Sequence, residues 1–108
     1  MNGKNSVQLV GYVGQDLKET KSGNGYRVAI RVATHHDFTD KAGKKIDQVT
    51  WHNVVAWDDT AKYAARNFVK GSKIMAEGRI VYGNFMGRDG QQRTIVHIRA
   101  NSLQNLDR

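Results

Sequence analysis

The sequence predicts an all-β domain with one helix, and three observations carry that prediction. Residues 26–35, YRVAIRVATH, alternate apolar and other side chains with the period of two that a half-buried strand requires. Eleven glycines and no prolines punctuate the chain, and turn signals recur at short intervals. Only one stretch, beginning after Trp57, changes to a helical period.

The elements follow in order. Residues 5–14, NSVQLVGYVG, form a first strand with Val7, Leu9, Gly11 and Val13 on one face. Gly11 and Gly14 permit the sharp coiling or bulge that a small barrel needs. QDLKET continues as a short polar strand, and SGNG at 22–25 is a hairpin turn, since Gly and Asn tolerate positive φ. In the next strand Tyr26, Val28, Ile30 and Val32 are the predicted core face. Arg27, Ala29, Arg31 and Ala33 lie on the other, toward solvent, a partner subunit or phosphate. Residues 36–48, HDFTDKAGKKIDQ, read as a loop that turns at Ala42-Gly43 and carries Lys41, Lys44 and Lys45. Phe38 stands in it without an apolar neighbour, either tucked back onto the barrel or free to stack on bases.

Val49, Trp51, Val54, Val55 and Trp57 make a third strand, on which Trp51 and Trp57 share a face. Large aromatics in a small β-protein are ordinarily core. Their basic surroundings, and the further aromatics in charged and Gly-rich loops, argue for a role at the surface. Asp58 or Asp59 is the expected N-cap of a helix of about three turns. Ala61, Ala64, Ala65 and Phe68 form its apolar stripe, Lys70 complements the negative end of the helix dipole, and Gly71 is the expected C-cap. KIMAEGRIVY, 73–82, is a fourth strand with a bend at Gly78. GNFMGRDGQQ, 83–92, is a hairpin loop holding Phe85, Met86 and Arg88, and RTIVHIRANSL, 93–103, is the last strand. Residues 1–108 read as one domain, with 1–4 and 105–108 as flexible ends.

Three strands, a helix and two strands is the order of the OB-fold, a five-stranded Greek-key barrel with the helix between strands 3 and 4. In that fold the face of strands 2 and 3 and the loops beside it bind oligonucleotides. Phe38, Trp51, Trp57 and Phe85 belong to those elements or their edges.

Composition narrows the partners. Seventeen Lys and Arg against ten Asp and Glu give a formal charge of +7, and the pI is near 9.9. Such a field attracts polyanions, nucleic acid above all. The basic residues form no amphipathic helix or terminal cluster, and no apolar run is long enough to cross a bilayer, so no membrane partner is expected. The start of the chain lacks the apolar run of a signal peptide, and the protein reads as cytoplasmic. Cysteine is absent, which excludes disulfides, thiolate metal sites and a Cys nucleophile.

His35, His36, His52 and His97 show no metal-ligand spacing, so neither metal nor cofactor is expected. A nuclease on an OB barrel is the reading from another class. It needs carboxylates converging on a divalent cation. Asp37, Asp40, Asp47, Asp58, Asp59 and Asp89 are scattered over loops and a helix start, and Glu77 stands alone in a strand. The expectation is therefore a binding protein with no catalytic residue.

At this point the sequence resembles the bacterial single-stranded DNA-binding protein (SSB) family over nearly its whole length. LVGYVGQD, VAIRVAT, TWHNVVAW and KGSKIMAEGRI resemble that family's first four strands in order and spacing. The resemblance implies base stacking on four aromatic positions, which fall on Phe38, Trp51, Trp57 and Phe85, and phosphate contacts at Lys41 and Lys70. It also implies that His52 lies near subunit contacts. The assembly implied is a homotetramer built from dimers, with exposed strand edges and the first strand as contacts; a dimer is also compatible with the sequence. Asn53, Asp59, Val81, Gly83 and Asn84 stand where the family carries basic residues, and among the nearby arginines Arg88 is the chosen substitute. Family members continue into a linker and an acidic tail that recruits replication and repair enzymes. This chain ends at Asp107-Arg108, so such recruitment is not expected of the chain as given. A removed tail and a short member specialised for binding both fit.

The function expected is sequence-nonspecific binding and protection of single-stranded DNA in replication, repair and recombination, at the nucleoid. The neighbouring reading is a tail-less OB dimer of the primosomal replication protein N type.

Overall fold

The computed structural model describes residues 3–23 and 25–107, with the backbone alone for Ser22 and Phe85. Six strands and one helix follow one another: β1 (Val7–Val13), β2 (Lys18–Ser22), β3 (Gly25–Thr39), β4 (Lys45–Trp57), α1 (Asp58–Asn67), β5 (Lys73–Met86) and β6 (Gln92–Asn105). The sheet runs β1-β5-β6-β4-β3-β2, and β1 also pairs with β3. Five strands thus close on themselves as an OB-fold barrel, and β2, which keeps only Lys18–Thr20 of the expected QDLKET strand and runs on to Ser22, is left as a short edge strand on β3. The return connection brings β6 parallel to β4, with Val54 opposite Ile98 and Val55 opposite Arg99. The turn joining β2 and β3 includes Asn24, which is outside the described residues.

Closure depends on two glycines where backbones touch. A Cβ on Gly11 would collide with the carbonyl oxygen of Ala33, and one on Gly78 with that of Arg99. Gly78 also sits at a register shift between β5 and β6, a bulge that bends the strand around the barrel.

The core follows the strand period. Val28, Ile30 and Val32 of β3, and Val54 and Ala56 of β4, are buried on one face. Val13, Ile74, Ala76, Ile98 and Ala100 complete the barrel interior, and Tyr26 is only half-buried. Helix α1 lays Ala61 and Ala64 into this core, and Phe68, one residue past its end, packs edge-on against Tyr63 at 5.6 Å. Three expectations for the helix need correction. Trp57 occupies the N-cap and no side chain caps the first turn; the Asp58 carboxylate instead accepts from the Tyr26 N–H at 3.4 Å. Ala65 is exposed, so the stripe is narrower than its spacing suggested. The C-cap is Phe68, whose N–H bonds the Ala64 carbonyl, while Gly71 (φ 95°) serves the turn beyond it.

Both long loops are mostly strand. β3 and β4 continue pairing out to Thr39–Lys45, so only 40–44 turn, and β5 and β6 pair out to Met86–Gln92. Each arm is closed by one aspartate. Asp40 Oδ1 accepts from the N–H groups of Ala42 and Lys44, both at 2.9 Å, and Asp89 Oδ1 accepts from the Gln91 N–H at 3.0 Å. Gly43 and Gly90 take the positive φ each turn needs. These ribbons show solvent on both faces, so they lack the apolar alternation by which strands are recognised. Residues 105–107, expected to be flexible, are bonded in place. Asn105 Nδ2 donates to the Asn67 carbonyl at 2.6 Å, and the Leu106 N–H donates to the Lys73 carbonyl at 2.8 Å.

Candidate nucleic-acid interface

The barrel carries an open groove of about 750 Å³ on the outer face of β3 and β4, walled by β6 and by the base of the β5–β6 arm. Its floor is the face opposite the core: Arg27, Ala29 and Arg31 of β3 alternate with the buried residues, as do Asn53, Val55 and Trp57 of β4.

The register along β4 is unbroken from Lys45 to Trp57, so Trp51 and Trp57 share this outer face. Neither belongs to the core. Trp51 is 48% exposed and Trp57 is half-buried. Trp51 packs over Gly14, where any Cβ would collide with its ring, so the glycine of the first strand is also the seat of a tryptophan. Above the rings stand arginines. The Arg31 guanidinium lies 5.2 Å from the Trp51 ring centre, and Arg27 and Arg99 lie 5.9 and 5.7 Å from that of Trp57. Cation–π attraction of this kind is worth about 0.5–1 kcal/mol at an exposed site and holds ring and charge side by side. Arg31 donates to Asn53 Oδ1 at 3.2 Å, and its Nε has no partner among the described residues.

These arginines are the residues that sequence reasoning undervalued. Arg27 and Arg31 were visible as the polar face of β3. Arg99 was not, because only the parallel β4–β6 pairing brings it beside Val55 and Trp57.

The other sequence-predicted residues are distributed around the groove. Phe38 lies on the β3–β4 arm, paired with Ile46 and stacked on His36 at 5.8 Å, so it does have an apolar neighbour. By register it is on the opposite face of the ribbon from Trp51. Lys41 is exposed at the tip of the same arm and Arg88 at the tip of the other. Arg88 is in no ion pair among the described residues, whereas Arg93 is held by Asp89 at 2.8 Å. Phe85 sits in β5 opposite Arg93, and its side chain is outside the described residues. Lys70 is exposed in the turn after α1; the neighbouring Gly71 N–H donates to the Val13 carbonyl at 2.8 Å, next to the Gly14 beneath Trp51.

Two aspartates that looked scattered are neighbours. Asp37 and Asp47 pair across the β3–β4 arm, and Asp47 lies 3.3 Å from His35 Nδ1. Their shared hydrogen bond raises the Asp37 carboxyl and lowers that of Asp47. Among the described residues no group of three or more His, Asp or Glu side chains could hold a metal ion, and no helix is long and apolar enough to cross a membrane.

His52 is half-buried and its Nε2 lies 2.9 Å from Thr34 Oγ1. Burial lowers its pKa below the ordinary 6.5. The unfolded chain therefore binds this proton first as pH falls. Stability is expected to decline as pH drops through 6.5 toward the folded-state pKa, then to level off. Urea unfolding of the wild type and of His52→Gln between about pH 8 and 5 checks this. The variant should show the shallower decline; parallel profiles would remove His52 as the cause.

Comparison with known proteins agrees with the geometry. The family model described as "Single-strand binding protein family" matches residues 4–106. The chain is 33% identical over 103 residues to the single-stranded DNA-binding protein of Neisseria meningitidis, covering 94% of this chain and 59% of that one. It is 36% identical over 106 residues to that of Xylella fastidiosa, covering 96% and 64%. This chain thus spans about three-fifths of the length of these relatives. A single-stranded DNA binding protein from Thermus aquaticus superposes with a TM-score of 0.83 at 25% identity, over 97% of this chain and 51% of that one. The Plasmodium falciparum SSB in complex with ssDNA gives 0.86 at 22% identity, over 99% and 100%, a likeness of fold. With its closed barrel, its groove and this match across nearly all its residues, the chain belongs to the single-strand binding protein family.

Proposed function

We propose that this protein binds single-stranded DNA without sequence preference and shields it during replication, repair and recombination. The observation that carries the reading is the pairing of Trp51 and Trp57 on one solvent-facing strand face with Arg27, Arg31 and Arg99. Bases stack on the rings, which every base can do, and the guanidinium groups meet the phosphates. Phe38, on the opposite face of its arm from Trp51, and Phe85 are assigned further bases along the two arms, and Lys41, Lys70 and Arg88 extend the phosphate track. The protein acts by binding alone, so the strand is released unchanged. Its site of action is the cytoplasm, on nucleoid DNA.

The exposed Val10 and Tyr12 of β1 suit subunit contacts, His52 is assigned to a subunit contact by the family resemblance, and the assembly proposed is a homotetramer of dimers. Sedimentation equilibrium should give four chains per particle, with two as the competing result.

The experiment is an anisotropy titration of labelled oligo(dT) and of duplex DNA at several salt concentrations. Tight binding to the single strand, weak binding to the duplex and a linear fall of log K with log salt are expected. Lys70→Ala should flatten that line by about 0.7, the contribution of one phosphate on a single strand. Equal affinity for duplex and single strand would refute the proposal.

A further inference from the structure

The groove is not the only basic surface. On the other side of the β2–β3 edge, a shallow cleft is lined by Lys21, Tyr26, Lys62, Ala65 and Arg66. Its lining holds three cations and no carboxylate, and none of the three is in an ion pair among the described residues. Lys62 and Arg66 are four apart on α1 and so project from one helix face. Like charges so placed repel each other by a few tenths of a kcal/mol, and of the carboxylates nearby Asp58 lies one turn before Lys62 and Glu19 is taken by the Tyr26 hydroxyl. Lys21 comes from β2, and its amino group stands 5.9 Å from the Tyr26 ring centre. The Tyr26 hydroxyl is fixed by donation to Glu19 Oε1 at 2.6 Å, which anchors the ring as a wall. The exposure of Ala65, unexplained by core packing, leaves a small apolar floor between the cations.

This cleft and the groove are connected by the edge strand. On β2 alternate residues face opposite sides, so Lys18 lines the groove and Lys21 lines the cleft. On β3, Arg27 and Tyr26 divide between the two sites in the same way. We infer that the cleft is a second phosphodiester site, which takes the same single strand as it leaves the groove past Lys18 and bends over the β2 edge. Three cations with an apolar floor fit a backbone phosphate and its sugar, without a base-specific contact. The inference rests on the groove being the single-stranded DNA site.

The test compares two oligo(dT) lengths, about 8 nucleotides, within what one OB fold covers, and about 30. Lys62→Gln/Arg66→Gln is set against Lys4→Gln/Lys73→Gln, which removes equal charge from exposed positions that line neither site. The cleft variant should bind the short strand as tightly as the control does. On the long strand it should lose at least about fivefold against the control, with a salt slope lower by about 0.7, the contribution of one phosphate on a single strand. Equal loss on both lengths, or no loss beyond the control on the long one, would overturn the second site. If the wild type bound neither oligonucleotide, the groove reading itself would fail, a result distinct from either.

Discussion

Trp51→Ala and Trp57→Ala are each expected to weaken binding to oligo(dT) by about 1–3 kcal/mol, roughly a 5- to 150-fold rise in Kd. The two should differ in what accompanies the loss. Trp51 is the more open ring, seated on Gly14 with one arginine beside it, so its removal takes away a base platform and little else. Trp57 is half-buried and sits 5.9 and 5.7 Å from Arg27 and Arg99, so its removal also frees two guanidinium groups from their positions. Neither change removes a cation, and the salt slope should stay near that of the wild type. Trp51→Phe, which keeps a π-face, should recover much of the affinity. Anisotropy titrations across salt, with circular dichroism to verify the fold, read all of this. Unfolding of both alanine variants would show that the rings serve the barrel rather than the ligand.

The second large effect concerns stability. Gly78→Val is expected to cost about 2–3 kcal/mol, at the upper end of what an overpacked site loses. For a domain of this size that lowers the melting temperature by on the order of 10 °C. The reason is that a Cβ there meets backbone, the carbonyl carbon and oxygen of Arg99 and the Cα of Ala100, and backbone in a closed barrel has nowhere to move. Gly83, on the same strand, faces open space, and Gly83→Ala should stay within about 0.5 kcal/mol of the wild type. Calorimetry of the two variants decides the matter. Equal melting temperatures would mean that the barrel relaxes around Gly78 more readily than its geometry implies.

The pattern of what was legible in the sequence has physical causes. Strands with one buried face were readable: β3 alternates from Val28 to Val32, and the partition of core from groove follows from that alternation. The order of elements was sufficient for the OB topology, and the six-residue spacing of Trp51 and Trp57 placed both on one face. The arms were unreadable as strands because a ribbon wet on both sides needs no apolar period, so Phe38 was assigned to a loop although it pairs with Ile46. Helix ends also escaped. Asp58, a good N-cap by type, spends its carboxylate on the Tyr26 N–H, a contact made by an element 32 residues away in the chain. Arg99 shows the same limit at the site: its nearness to Trp57 comes from a parallel pairing that no local signal announces.

The central claim is that the tryptophans of β4 lie beneath stacked bases, and intrinsic tryptophan fluorescence reports this directly. Trp51 and Trp57 are the only tryptophans in the chain, so the signal has no other source. Titration with oligo(dT) should quench the emission strongly, and duplex DNA of equal length should quench it weakly, at low and at moderate salt. Trp51→Phe should remove part of the quenching and Trp57→Phe the remainder. No quenching by the single strand, or the same quenching by both forms, would place the rings away from the bases and contradict the account.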